Sequence, residues 1–251
     1  MELPLLTVFI IALLVFIVAA LYSSVGHGGA SGYLAVLSFF ALAPTLMSTT
    51  ALILNVLVAG VGTIHFVRAG HFSFRRAWPI VVLSIPSAFV GGYLKVSERV
   101  YLILLAAVLL FAAYRMFTSA RGASYDESIR DPSVPVALTG GAGIGLLSGI
   151  VGVGGGIFLS PLMIFLRWAT TKQTAAISAF FIVVNSLAGL GGRAVRGGLE
   201  LGTIWPFVVG AFLGGFLGSY MGSNKLSGSL LRKLLALVLL IASLKIILIS
   251  V

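Results

Sequence analysis

Residues 145–161 read GLLSGIVGVGGGIFLSP, an apolar stretch whose middle is interrupted by the glycine cluster at 152–156. A similar cluster at 26–29 lies 126 residues earlier, again inside an apolar stretch. Glycine lacks a Cβ atom and readily adopts backbone conformations that end one helix and start another. The two clusters therefore predict two helix breaks at matching places in the chain.

The composition around these clusters is that of a membrane protein. Of the 251 residues, 59% are hydrophobic and 9% are charged, whereas about 25% are charged in an ordinary soluble domain. The mean hydropathy is +1.16, and several apolar runs reach the roughly 17–25 residues that a membrane-spanning helix needs. We therefore expect an all-α polytopic membrane protein with about ten membrane segments. The segments run over 4–22, 29–43, 46–67, 77–94, 100–118, 134–150, 154–168, 172–192, 203–222 and 229–250.

The chain also contains an internal repeat. A Trp-Pro pair at Trp78 recurs at Trp205, 127 residues later, and Asn55 matches Asn185 at an offset of 130. Five segments per half is an odd number, so the second half should enter the membrane in the opposite direction, as inverted repeats do. The predicted organisation is a first transmembrane repeat over 1–118, a polar linker over 119–133 and a second repeat over 134–251.

Basic residues indicate the orientation. If the N-terminus lies outside, eleven of the 16 Lys and Arg residues fall in inner loops, as the positive-inside rule favours. The first apolar run has no positively charged n-region, so we interpret it as a retained first helix. The five basic residues left outside are Lys95, Arg99, Arg193, Arg196 and Lys245.

The segments that follow the glycine clusters, 29–43 and 154–168, are short. At 1.5 Å per residue each covers roughly 22 Å, less than a hydrocarbon core of about 30 Å. Short, glycine-interrupted segments at matching places in two halves indicate the binding site of a transporter. A helix that starts there presents unpaired N–H groups and its positive dipole end, which together favour an anion. Tight helix packing through small residues is the alternative interpretation.

The candidate anion-binding residues are the glycine and polar positions in or beside the two breaks. The serines could instead bond to their own helix carbonyls, and the asparagines could bond between helices. The position of His27 corresponds to Val153 in the second repeat. His27 is therefore either a ligand present in one half alone or a packing residue. The candidates are Ser24, Gly26, His27, Gly28, Gly29, Asn55, Ser148, Gly152, Gly154, Gly155, Gly156 and Asn185.

Arg193 and Arg196, at a helix end, allow two interpretations. They could set the membrane topology or attract anions at a pore mouth.

Absences narrow the classes of cargo and partner. No Asp or Glu falls deep inside a predicted span, which argues against a cation as cargo and against a carboxylate proton relay. Proton coupling would then depend on His27 or on a protonated substrate. The net charge is +10, and the basic residues lie mostly at the ends of the predicted helices. We therefore expect membrane lipid and not nucleic acid as a partner. We expect no metal and no cofactor, and the sequence leaves self-association open.

At these residues the chain resembles the TauE/SafE family of sulfite exporters. The resemblance rests on 145–161, on Asn185-Ser-Leu-Ala-Gly189 and on the Arg196-Gly-Gly turn before the second Trp-Pro pair. It implies a prokaryotic inner-membrane exporter of sulfite or a small organosulfonate, and not an enzyme. The first half departs from the pattern, because Ala35 stands where the second copy has Pro161.

Two other functional classes stay open. A passive anion channel would show the same sequence features as a carrier. The motif Gly29-Ala-Ser31-Gly resembles that of rhomboid intramembrane proteases, whose serine needs a histidine on a later helix. Only His65 and His71 follow it, both near a loop.

Overall fold

The computed structural model describes residues 4–23, 28–118, 129–197, 199, 204–222 and 229–250. Over these ranges the secondary structure is helical, and a helix occupies each of the ten predicted apolar segments. In chain order the helices are α1 (Leu5–Ser23), α2 (Ala30–Phe39), α3 (Pro44–Arg68), α4 (Phe74–Tyr93), α5 (Glu98–Thr118), α6 (Val134–Val151), α7 (Gly156–Phe165), α8 (Thr171–Gly197), α9 (Trp205–Gly222) and α10 (Ser229–Ser250).

The helices α2 and α7 are even shorter than the sequence predicted. Each has 10 residues, which corresponds to about 15 Å of helix. Both end just before a residue in the left-handed region, Ala41 with φ 52° and Arg167 with φ 57°. A non-glycine residue in that conformation stops a right-handed helix. The two short helices therefore end in the same way at positions 126 residues apart.

Other helices are longer than predicted. Helix α8 continues to Gly197, five residues past the predicted end at 192. Helix α4 starts at Phe74 rather than at 77, because Arg75 and Arg76 find partners in Asp131 and Gln173 and join the first turn. The sequence had assigned these charged residues to a loop.

Four of the described helices are long and apolar enough to cross a membrane. They are α1, α3, α6 and α8, judged by length and composition. The exposed surface of the described chain carries many large apolar side chains, such as Phe9, Val82 and Phe212, as expected for a surface that faces lipid. The chain is thus helical and membrane-embedded, and the count of ten membrane segments stays a prediction.

Two tight contacts between parallel helices join the halves. Glycines spaced four residues apart on α6 lie against backbone carbonyls of α4, and glycines with the same spacing on α9 lie against carbonyls of α1. A Cβ atom at any of these positions would collide with backbone, so the glycines allow the close approach. We call these contacts the glycine seams. Their pairs are Gly141–Ile80, Gly145–Ser84, Gly149–Ala88, Gly210–Ala12, Gly214–Phe16 and Gly218–Ala20.

The buried apolar residues form two clusters that do not follow the chain halves. One joins α4 with α6, α7 and α8, and includes Ile80, Met163 and Phe181. The other joins α1, α2 and α3 with α9, extends over α5 and α10, and includes Val151, Val153 and Ile157 at the second break. Helix α4 therefore packs with the second half, and α9 packs with the first.

Candidate functional site

The predicted breaks are present in the backbone. Gly29 precedes α2 with φ 97°, and Gly155 precedes α7 with φ 82°. Gly152 and Gly154 also have positive φ, at 89° and 74°. A side chain in this region costs about 1–2 kcal/mol, so glycine is the residue that lets the chain turn here. The Tyr33 ring, which lies directly over Gly29, leaves no space for a Cβ atom.

Both short helices start inside the protein. Residues 28–35 and 151–157 are all buried. The N-cap residues, Gly29 and Gly155, have no side chain that could cap the helices. The first α-helical bonds run from Tyr33 N to Gly29 O at 3.0 Å and from Leu159 N to Gly155 O at 3.1 Å. Apart from Phe158 N, which donates to Gly155 O at 3.1 Å, the N–H groups of each first turn precede these bonds and therefore have no carbonyl partner within their helix. Two positive helix ends are thus held away from water.

The Asn55 side chain lies between the two breaks. A Cβ atom built on Gly28 would be 3.0 Å from Asn55 Oδ1, and one built on Gly154 would be 2.6 Å from Asn55 Nδ2. Asn55 is 0% exposed, and neither its Nδ2 nor its Oδ1 has a hydrogen-bond partner in the part of the chain that the structure describes. An unpaired buried amide is costly, so its donor and acceptor are available to a ligand. The structure therefore brings Gly28, Asn55 and Gly154 together, and their role in binding an anion stays a prediction.

The contacts of the two glycines reveal the register of the repeat. Gly28 faces Asn55 and Ala59 of α3, together with Ile182 of α8, while Gly154 faces Ile182 and Ser186 of α8, together with Asn55. These contacts pair Asn55 with Ile182 and Ala59 with Ser186, each 127 residues apart.

The sequence had paired Asn55 with Asn185, three residues away from this register. The two amides match by residue type, but they occupy different turns of their helices. Asn185 is 0% exposed, and its Nδ2 donates to Phe181 O of its own helix at 2.8 Å, while its Oδ1 has no partner among the described residues. Among the described residues, Asn185 is not one of the nearest neighbours of the glycines at either break.

The other predicted residues divide into three groups. Gly155 and Gly156 pack against the side chains of Phe181 and Ile182 in α8. Ser148 is fully buried with no partner for its hydroxyl among the described residues, and its carbonyl accepts from Gly152 N at 2.8 Å. Ser24, Gly26 and His27 lie outside the described residues.

Two residues beside Asn55 were missed by the sequence reasoning. Ser186 is 0% exposed, its hydroxyl lies 3.2 Å from a Cβ atom built on Gly154, and it has no hydrogen-bond partner within the described ranges. Ile182 contributes an apolar wall to the same place. A search for a polar residue 127 positions after Ala59 would have found Ser186.

Ser31, the serine of the rhomboid-like motif, is engaged elsewhere. Its Oγ and the Tyr22 hydroxyl are hydrogen-bonded at 2.9 Å, both buried. His65 is at the last turn of α3 and His71 follows that helix. The described geometry therefore gives Ser31 a tyrosine and not a histidine as its neighbour, which disfavours the protease class.

Comparison with known proteins identifies the family. The family model described as "Sulfite exporter TauE/SafE" matches residues 11–246. The chain is 38% identical over 182 residues to a protein of Sinorhizobium fredii (strain NBRC 101917 / NGR234) named "Probable membrane transporter protein y4hK", covering 72% of this chain and 74% of that protein. No solved structure matches the chain. With its membrane-capable helices and paired breaks, this multi-pass chain is a membrane transporter that belongs to the TauE/SafE family.

Proposed function

We propose that the chain exports a small oxyanion, sulfite or a small organosulfonate, across a prokaryotic inner membrane. The anion binds between the N-termini of α2 and α7, where the Asn55 amide lies between Gly28 and Gly154. The observation that carries the proposal is this buried amide, which has no hydrogen-bond partner among the described residues and lies beside two positive helix ends.

The chemistry of the site suits an anion. Backbone N–H groups at a helix start and the positive end of its dipole attract negative charge. Asn55 Nδ2 and the Ser186 hydroxyl add two donors at the same place. Residues 28–97 and 134–197, which include α2, α3, α7 and α8, contain no Asp or Glu that would repel an anion. Sulfite and sulfonates present oxygen atoms in several directions, and donors from two opposing helix ends can bind them together.

Packing supports an inverted repeat. The seam of α4 with α6 and the seam of α9 with α1 involve matching helices of the two halves, and each pair runs parallel. In contrast, α3 and its counterpart α8 are antiparallel, since Gly62 faces Ala179 and Gly189 faces Leu52. The repeat offset of 127 converts one contact into the other, because Gly62 corresponds to Gly189 and Ala179 corresponds to Leu52. Such exchange is expected of a two-fold axis in the membrane plane.

The site supports a carrier better than a passive channel. Asn55 and Ser186 are 0% exposed, so an anion bound between them is enclosed and a conformational change must open the site. An open channel would keep a continuous aqueous path. A carrier also explains why two breaks of the same kind meet at one point, because the site can then be opened in turn to each side of the membrane. Proton coupling is part of the proposal only through His27 or through a protonated substrate.

The test is anion flux in proteoliposomes that contain the purified full chain. A panel of sulfite, small sulfonates and carboxylates is offered with and without a proton gradient. We expect saturable flux of sulfite or a sulfonate, and uphill flux would separate a carrier from a channel. Asn55→Asp places a carboxylate between the helix ends, so flux should fall at least about ten-fold.

The matched control is Ser84→Ala. This removes a buried hydroxyl that donates to Val81 O of its own helix at 3.2 Å and lies away from both breaks. Its flux should stay near that of the unchanged chain. If no anion moves under any condition, the proposed function fails. If anions move but Asn55→Asp transports as well as Ser84→Ala, the function stands and the site is wrong.

A further inference from the structure

A cavity opens at the C-terminal end of α8, apart from the Asn55 site. It has a volume of about 260 Å³, and its walls include Thr45, Thr49, Lys95, Arg193 and Arg196. A second cavity of about 180 Å³ adjoins it and shares Thr45, Arg193 and Arg196. Together they form a recess where the start of α3, the end of α4 and the end of α8 meet.

Three cations face this recess, and none of them forms an ion pair with an acid among the described residues. In the part of the chain that the structure describes, no carboxylate oxygen lies within 4.0 Å of the side-chain nitrogens of Lys95, Arg193 or Arg196. Glu98 lines only the second cavity. Thr45 belongs to the first turn of α3, whose N-cap residue Ala43 makes no side-chain cap bond. The positive end of α3 therefore adds to the charge of the recess.

Arg193 is the unusual member of this group. It is 4% exposed, and its Nη2 donates to Gly149 O at 2.8 Å and to Ile150 O at 3.0 Å. Its Nε has no hydrogen-bond partner among the described residues. A buried guanidinium with an unpaired donor is costly unless an anion or another acceptor completes it. The carbonyls that it already binds belong to the last turn of α6, which ends at the second break.

The recess adjoins the break. Ser48 lines the second cavity, and its backbone also contacts Gly152, where a built Cβ atom would lie 2.7 Å from Ser48 O. Tyr101 lines the same cavity and donates from its hydroxyl to Val151 O at 3.3 Å. An anion bound by the three cations would therefore lie beside the residues that separate the recess from the glycine break.

We propose that Lys95, Arg193 and Arg196, with Thr45 and Thr49, form a vestibule site that binds an oxyanion such as sulfate, sulfite or a sulfonate. Only the identity of the transported anion rests on the proposed function. The binding itself follows from three cations, an unpaired buried guanidinium N–H and a cavity large enough for a tetrahedral oxyanion. Arg193 would then link anion binding to the end of α6, because it binds both.

The chain has no cysteine, so a single introduced thiol reports on the recess. Thr45→Cys places one in the wall that both cavities share. Ser133→Cys, exposed at the other end of α6, is the matched control. The purified full chain in detergent is treated with the anionic sulfonatoethyl or the cationic trimethylammonioethyl methanethiosulfonate, and the two labelling rates are compared.

We expect the anionic reagent to be favoured at Thr45→Cys by about five-fold more than at Ser133→Cys. Adding Lys95→Gln or Arg196→Gln to Thr45→Cys should lower that preference about two-fold each, whereas Arg68→Gln at the far end of α3 should not change it. Sodium sulfate should slow labelling at Thr45→Cys more than sodium gluconate of equal ionic strength does. Sulfate is the probe because sulfite itself cleaves the mixed disulfide.

Equal charge preference at the two thiols, or labelling that sulfate does not slow, would overturn the vestibule site. The charge variants are made at Lys95 and Arg196 because a change at Arg193 would also remove the donor to two carbonyls of α6. Labelling in detergent requires no transport, so the two proposals can fail separately. Protection by sulfate in a chain that moves no anion would keep the vestibule site and reject the proposed function.

Discussion

At the scale of residues, the centre of the site is asymmetric in its side chains. The register of 127 places Asn55 opposite Ile182 and Ala59 opposite Ser186, so each half contributes one polar and one apolar residue. The backbone around the two breaks is similar, with Gly29 and Gly155 both in the left-handed region. In the proposed site, the main-chain groups that would bind the anion are therefore shared by the halves, whereas the side-chain donors alternate between them.

This arrangement predicts what happens when the side chains at positions 55 and 182 are exchanged. Asn55→Ile should weaken anion affinity about ten- to hundred-fold, because a hydrogen bond to a charged group contributes about 1.5–3 kcal/mol. The double variant Asn55→Ile with Ile182→Asn should recover part of the loss, since it returns an amide to the equivalent place. The KM for sulfite flux in proteoliposomes measures both. A double variant no better than Asn55→Ile would contradict the paired positions.

The sequence predicted part of this site and missed the rest for identifiable reasons. The breaks follow from glycine chemistry, which is local, so both were predicted at the right residues. Asn55 was also predicted, because an amide in an apolar helix must find a partner or a ligand. Ser186 and the register were missed, since matching identical residue types favoured Asn185 and only tertiary contacts distinguish positions one helical turn apart.

At the scale of elements, glycine has two separate roles. At the breaks it supplies unusual backbone conformations, and in the glycine seams it supplies space inside regular helices. The sequence could not assign each glycine to a role, because packing partners are not visible in it. The structure separates them, since Gly141, Gly145 and Gly149 lie within α6 against backbone carbonyls, while Gly152 and Gly154 have positive φ.

The seams predict opposite effects for two substitutions on one helix. Gly145→Ala should destabilise the protein by about 1–3 kcal/mol, because its Cβ atom would overlap the Ser84 backbone and neither helix can yield cheaply. Gly143→Ala, with nothing within 4 Å of its built Cβ atom, should be neutral or stabilise by up to about 1 kcal/mol. Thermal unfolding of the two variants in detergent compares them, and equal melting temperatures would argue against the seam.

At the scale of the whole molecule, the packing crosses the boundary between the repeats. One cluster of buried residues groups α4 with α6, α7 and α8, and the other groups α9 with α1, α2 and α3. The two groups also touch at the second break, where Val151, Val153 and Ile157 belong to the second cluster. In a transporter built from inverted repeats, alternating access can come from one repeat rocking against the other. The seams instead favour motion between these two mixed groups, which meet along α3 and α8, because sliding the halves apart would disrupt both seams at once.

The orientation can be tested with single thiols. Ser97→Cys lies between α4 and α5 on the side of the cationic recess, and Ser133→Cys lies before α6. With the N-terminus outside, an impermeant maleimide added to intact cells should label Ser97→Cys and spare Ser133→Cys until the membrane is permeabilised. The reverse pattern would mean that the chain inserts the other way, and labelling of both would mean that the predicted segment count is wrong.

The seams also bear on how such a chain could have arisen. A protein with a single five-helix repeat would leave the packing faces of its first and fourth helices bare, because each seam joins a first helix of one copy to a fourth helix of the other. Such an ancestor would need a second molecule inserted in the opposite direction. Gene fusion would then have made permanent a partnership that two separate chains already required.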